Sequence, residues 1–172
     1  PHPKISSGPP LSLGFTSEAE YMDFELDGPS VYQMTDLIND HLPEGIHLFK
    51  LIPIVQKVKS LNSAIDSIYY TINILDTLPE EDMVQRVAAF LQQTECRVLR
   101  RNKEIDIRPF IQKLEVGKNQ INAWLQLTDR GTARVSEIMS VLFKNLSIGY
   151  RVHRKAQFIE KEGVLKTPLE VL

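Results

Sequence analysis

Ile68, Tyr70, Ile72 and Ile74 stand two residues apart and alternate with Tyr69, Thr71 and Asn73. A period of two in a β-branched and aromatic run specifies a strand with one face in a core and the other turned away from it. The same residues wound into a helix would be scattered around its axis. Whatever follows this strand must therefore cover its apolar face.

The next residues supply that cover. Thr77 is a suitable helix N-cap, with Pro79 in the first turn and Glu80 three residues on to complete a capping box. Met83, Val84, Val87, Ala88 and Leu91 then recur at helical spacing, which predicts a helix near 79–94. Arg97 to Leu99 and Glu104 to Arg108 flank the polar stretch Arg100-Arg101-Asn102-Lys103 as a hairpin, and Ile121, Ala123, Leu125 and Leu127 alternate in a further strand. A second helix is predicted near 132–146 from the stripe Val135, Ile138, Met139, Leu142 and Leu146. Gly149 ends it before a last strand from Tyr150 to Ile159.

The first third carries a partial version of this pattern. Met22, Phe24 and Leu26 alternate with Tyr21, Asp23 and Glu25 as a half-buried strand, and Val31, Met34, Leu37, Ile38 and Leu42 follow at helical spacing up to Pro43 and Gly45. Ile46, Leu48, Ile52 and Ile54 then read as a second strand ending near Pro53. The expected fold class is α+β, with antiparallel sheets each covered by helices on one face. Strand, helix, hairpin, helix, strand is the ferredoxin-like order, so the expected architecture is a tandem of two ferredoxin-like units. The first, 1–59, is expected to be N-terminally truncated, since the chain opens on Pro1 rather than Met; 60–66 is a linker with one helical turn, and 67–172 is the complete unit. One continuous mixed sheet is the alternative.

Charge divides too, at residue 95, within the second unit. Residues 1–95 hold 5 Lys plus Arg against 14 Asp plus Glu, a net −9, whereas residues 96–172 hold 15 against 8, a net +7. Such asymmetry suits an anionic partner for the basic half, or two halves that meet each other. No apolar run reaches the roughly 20 residues that span a bilayer, so a cytoplasmic protein without a membrane association is expected. Cys96 is the single cysteine. It can form no internal disulfide and cannot by itself hold an iron–sulfur cluster. The histidines are scattered without paired ligand spacing, so neither a metal nor a cofactor is expected of this chain.

The opening Pro1-His2-Pro3-Lys4-Ile5-Ser6-Ser7-Gly8-Pro9-Pro10, together with Leu42-Pro43-Glu44-Gly45-Ile46, Asp106-Ile107-Arg108-Pro109, Gly131-Thr132-Ala133-Arg134 and Thr167-Pro168-Leu169-Glu170-Val171, resembles in order the signatures of a bacterial radical-SAM-linked domain of unknown function. The match departs at Ser6-Ser7-Gly8. The resemblance implies a radical S-adenosylmethionine protein as partner, with the radical chemistry on that partner and substrate positioning here.

Candidate binding residues fall in three groups. His2, Lys4 and Ser6 combine a base, a cation and a hydroxyl in a Pro-rich loop whose stiffness also serves a purely structural connection. Arg100, Arg101 and Arg108 cluster around the hairpin, where Asp106 and Arg108, two apart on a strand, also suit a mutual ion pair. Arg134 opens a helix whose free N–H groups form a weak anion site, unless Thr132 caps it. Arg151 begins a basic row with His153 and Lys155, with Arg154 on the reverse. Trp124 and the five tyrosines are not clustered with basic residues along the chain, so no base-stacking platform is expected.

These features point to an accessory domain that binds RNA or another substrate for a radical SAM protein in RNA or ribosome-related modification. A metal-independent ribonuclease resembling the CRISPR RNA-processing endonucleases, with His2 or an upstream histidine as general base, is an alternative on fold analogy alone. A protein-interaction module docking through the acidic half is another.

Overall fold

The computed structural model describes residues 4–25, 34–54 and 58–171. The Pro-rich opening forms β1 (Ile5–Ser7), β2 (Thr16–Ser17) and β3 (Met22–Phe24), followed by α1 (Met34–Asn39) and the single helical turn α2 (Leu61–Ala64). The rest runs β4 (Ser67–Ile74), α3 (Glu80–Leu91), β5 (Arg97–Arg100), β6 (Lys103–Asp106), β7 (Ile111–Gly117), β8 (Gln120–Gln126), α4 (Val135–Leu142), β9 (Tyr150–Lys161), β10 (Val164–Lys166) and α5 (Pro168–Val171). The fold is mixed α and β with antiparallel sheets and few helices.

The main sheet has the order β10-β9-β4-β8-β7, every neighbouring pair antiparallel, and β2 adds to β9 in parallel. Helix α3 carries the chain from β4 to β7, and α4 carries it from β8 to β9. Each connection thus skips one strand that fills the gap from elsewhere in the chain. Ile68, Tyr70, Ile72 and Ile74 of β4 lie in one core with Ile121, Ala123 and Leu125 of β8, Met83, Val87 and Phe90 of α3, and Val135, Ile138, Met139 and Leu142 of α4. Both helices therefore cover the face that the alternation marked as buried.

Several elements depart from the sequence expectation. The edge of the main sheet is β7, while the hairpin at 97–106 forms a separate two-stranded ribbon, β5 against β6. A register shift between Ile111 and Lys113 spaces the inward residues of β7 irregularly, which hid its period of two. No strand forms over 46–54. There the Asn39 side-chain amide accepts from Leu48 N–H and donates to Leu48 C=O, so a side chain satisfies backbone that a neighbouring strand would otherwise bond. α3 is capped at Pro79 without a side-chain bond, and its acidic first turn of Glu80, Glu81 and Asp82 suits the helix dipole instead. α4 begins at Val135 with Arg134 as N-cap, and Thr132 turns its hydroxyl to the Ala133 carbonyl.

The Pro-rich segment is held on the core face by β9. Arg154, with a side chain only 1% exposed, donates from Nη1 to Pro9 O (2.8 Å) and to both Glu20 carboxylate oxygens (2.9 and 3.0 Å). Its Nη2 donates to Pro10 O (3.0 Å) and to the Tyr70 hydroxyl (3.1 Å). Gln157 donates to Ala19 O, and a Cβ on Gly8 would lie 3.1 Å from the Gln157 carbonyl oxygen, so the loop backbone fits there without a side chain. Leu61 and Ile65, either side of the expected linker's helical turn, are buried in the same core.

Replacing Arg154 with Met should leave the Tyr70 hydroxyl and two proline carbonyls without a buried donor and cost about 2–4 kcal/mol of stability. The urea midpoint, read with an unchanged slope, measures this; a loss below about 1 kcal/mol would show that the clamp does not hold the fold.

Candidate nucleic-acid interface

The side of the main sheet opposite the helices carries the alternate residues of each strand. Reading across β9, β4, β8 and β7, one row is Ala156, Tyr69, Trp124 and Lys113, the next is His153, Thr71, Asn122 and Glu115, and a third is Arg151, Asn73, Gln120 and Gly117. The Tyr69 and Trp124 rings are stacked, with centroids 4.3 Å apart and planes 2° from parallel. The Lys113 ammonium lies 4.8 Å from the Trp124 ring centroid, on a cation–π contact. Both rings are half-buried, so each presents part of its surface outward.

Asn122 sits at the centre of the second row. Its Oδ1 accepts from the Tyr69 hydroxyl and from the Thr71 hydroxyl, both at 3.2 Å. Lys113 also pairs with Glu115, and His153 is committed to Thr16 through Nδ1 (2.8 Å) and to Glu18 through Nε2 (3.3 Å). The face thus offers stacking surface, amides and hydroxyls, while its carboxylate and imidazole are engaged with neighbours.

The aromatic pair brings two rings and a basic residue together, which their separation along the chain did not suggest. Tyr69 and Trp124 are 55 residues apart in sequence, and only the register of β4 against β8 sets them side by side. The usable signal was that both occupy the outward positions of otherwise alternating strands, where a solvated face rarely needs two large rings.

The structure distributes the residues singled out from sequence among different tasks. Arg100 donates to Glu137 from Nε (2.8 Å) and Nη2 (2.6 Å) and to Thr132 O (2.9 Å), joining the β5–β6 ribbon to the start of α4. Arg108 lies in a 3₁₀ turn and donates to the carbonyls of Leu91, Gln93 and Ile111, closing the C-terminus of α3. Asp106 accepts from the backbone N–H groups of Cys96 and Arg108, so the expected side-chain pair is replaced by a turn. Arg101 occupies the exposed β5–β6 turn at φ +48°, and Arg134 is exposed at the α4 N-cap. The free N–H of Arg134 is taken by the Glu137 carboxylate at 2.9 Å, which fills the expected anion site with the chain's own anion.

On β9, Lys155 pairs with Glu18 at 2.6 Å and Arg154 with Glu20. Acidic residues of the first half thereby neutralise much of the basic strand, and the Lys155 ammonium, together with His153, holds the Glu18 carboxyl below the usual range against the opposing effect of burial. Arg151 is exposed and makes no ion pair among the described residues. Ser6 is half-buried on β1 opposite Asp23, whose carboxyl is pushed up by burial, and Lys4 forms an exposed pair with Glu25 at 2.9 Å. His2 lies outside the described residues. Lys4 and Ser6 are therefore on the β1–β3 ribbon and Arg151 on the main sheet's open face.

Among the described residues, no group of three or more His, Cys, Asp or Glu is placed to hold a metal ion, and no helix is long and apolar enough to cross a membrane. Residues 1–141 match the family described as uncharacterized protein conserved in bacteria (DUF2344), and the chain belongs to that family. No curated protein and no solved structure matches the chain.

The Glu137 network makes a prediction on stability. Burial raises the Glu137 pKa, but the Arg100 guanidinium and the Arg134 N–H outweigh it and leave the carboxyl below the ordinary glutamate range. A depressed folded value means stability that is present above the unfolded value and lost as pH falls through the folded one. Glu137→Gln should cost about 1–2 kcal/mol at neutral pH. Parent and variant should converge in urea midpoint as pH drops through the carboxylate range; a difference independent of pH would refute the assignment.

Proposed function

We propose that this member of an uncharacterized bacterial family is an accessory domain that binds RNA on the open face of its main sheet and positions it for a radical SAM protein. The observation that carries the reading is the Tyr69–Trp124 stack with Lys113 over its outer ring. Single-stranded nucleic acid is recognised by aromatic side chains on which unpaired bases stack, assisted by cations that follow the backbone. Exposed Arg151 on the same face and exposed Arg101 and Arg134 elsewhere in the basic half supply such cations. Arg100 and Arg108 are engaged in holding the fold, so they are better regarded as supports than as phosphate ligands.

The architecture supports this reading. Strand order β9-β4-β8-β7 with antiparallel neighbours and two helices on one face favours a ferredoxin-like unit over 67–161, which leaves the opposite face free for a ligand. Residues 1–59, with β1, β3 and α1, are proposed as a partial second unit of the tandem. The radical SAM partner rests on the resemblance in the opening and closing motifs. With one cysteine in the chain, the division of labour places radical chemistry on that partner.

Tyr69→Ala should weaken binding of single-stranded RNA by about 1–3 kcal/mol, the usual value of one stacked base, and Arg151→Ala should flatten the salt dependence of binding. Anisotropy titrations at two salt concentrations measure both. Crosslinked RNA recovered from cells, and a modified nucleoside missing from strains lacking either this protein or the neighbouring radical SAM protein, would support the cellular role. A parent protein that binds no RNA at low salt would overturn it.

A further inference from the structure

We infer that the outer face of the Tyr69 ring, above Ala156, is a slot for one unpaired nucleobase. The inference rests on the RNA-binding reading and names the place where a base enters. Across one rung of the sheet stand the Lys113 ammonium, the Trp124 indole, the Tyr69 phenol and then the Ala156 methyl. Neighbouring strands lie about 4.8 Å apart, close to the 4.3 Å between the two ring centroids. The stack therefore advances by nearly one strand per member, and over β9 its next position holds only a methyl group.

A break in register empties that position. Tyr70 pairs with Arg154, so an unbroken antiparallel ladder would set Lys155 opposite Tyr69. Instead the pairing shifts between Tyr69 and Tyr70, Ala156 comes opposite Tyr69, and Lys155 is carried aside to its ion pair with Glu18. Bulges characteristically re-aim a side chain in this way. Ala156 is only partly buried, and among the described residues Trp124 is the one aromatic ring stacked on Tyr69.

The surroundings favour a base over an apolar peptide ring. Both the Tyr69 and Thr71 hydroxyls give their protons to Asn122 Oδ1, which fixes the amide's orientation and leaves its Nδ2 protons to donate outward. The two hydroxyl oxygens keep acceptor capacity. A heterocycle with ring nitrogens and carbonyls can use this mixed set, as it can at other single-strand sites. Lys113 adjoins the stack at the β7 end and Arg151 stands two rows away on β9, so cations lie at the stack and farther along the face, where a polyanionic backbone passing over it would run.

The test uses the full chain with three labelled probes of equal length: oligouridine, oligoadenine, and an abasic ribose-phosphate strand. Base-bearing strands should bind at least tenfold more tightly than the abasic strand and should quench emission from Trp124, the only tryptophan. Ala156→Phe should fill the slot and reduce binding of base-bearing strands at least tenfold without changing abasic binding, whereas Ala156→Ser should bind like the parent. If Ala156→Phe does not fold by circular dichroism, Tyr69→Ala provides the same comparison and should show the same selective loss. Undiminished base-dependent binding in these variants would overturn the slot while leaving RNA binding in place. Equal binding of abasic and base-bearing strands would also overturn it, and failure of the parent to bind any strand at low salt would overturn the slot and the RNA-binding reading together. Displacement of the base-bearing strands by an aromatic peptide and not by free nucleosides would assign the slot to protein and sink the inference.

Discussion

A guanidinium that water scarcely reaches is the constraint on which the molecule is arranged. Arg154 cannot be buried on the core face of β9 unless acceptors surround it, because an isolated buried charge costs several kcal/mol. Its acceptors come from the far end of the chain: two proline carbonyls, which have no N–H beside them to complete a ladder, and the Glu20 carboxylate. Tyr70 supplies a further contact from the middle of the sheet, and Nε alone is left without a partner among the described residues. The Pro-rich opening is thereby part of the core covering. Its consequences spread outward, for once Pro9, Pro10 and Glu20 are placed, Thr16 and Ser17 fall beside His153 and Arg154 as β2.

The same docking explains what becomes of the charge division. The acidic first half meets the basic half through Glu18 and Glu20 on β9 and through Glu95 on Arg97, while Arg100 finds Glu137 and Arg97 finds Glu104 within the basic half. Net charge along the chain was an accurate count but a poor map, because pairing depends on which residues face each other after folding. Many cations of the second half stay exposed without an ion partner among the described residues, Arg101, Arg134 and Arg151 among them, and of these three Arg151 lies on the sheet's open face.

Sequence was most legible where one physical signal acted alone. The alternation from Ile68 to Ile74 and from Ile121 to Leu127, and the helical stripes ending at Leu91 and Leu146, marked four elements and the buried face, although α4 stops at Leu142 and leaves Leu146 exposed. It failed where two signals competed. In β7 a register shift breaks the alternation of Ile111, Leu114 and Val116, while the neighbouring hairpin, which has a clean turn at Arg101 and Asn102, carries the plainer strand signal. The apolar alternation over 46–54 was real, yet no strand forms there, since β-pattern without a pairing edge does not make a sheet. The candidate site was legible only in fragments. Tyr69 and Trp124 could each be assigned an outward face, but their meeting is a fact of strand register, which a linear sequence does not state.

The length of β9 has a consequence for how the protein behaves in a crowd. Its outer side is occupied near His153 and Arg154 by β2 and from Ile159 to Lys161 by β10, so this border of the sheet is sealed at two places by its own chain. The opposite border, β7, pairs only with β8 among the described strands. There Lys113 and Glu115 stand exposed along a bent strand, and charge and irregularity are the usual means by which an open edge resists recruiting foreign strands. Among the described strands, β7 is thus a route by which unwanted polymerisation could enter the native sheet. Loss of those two charges would open that route without disturbing the folded unit itself.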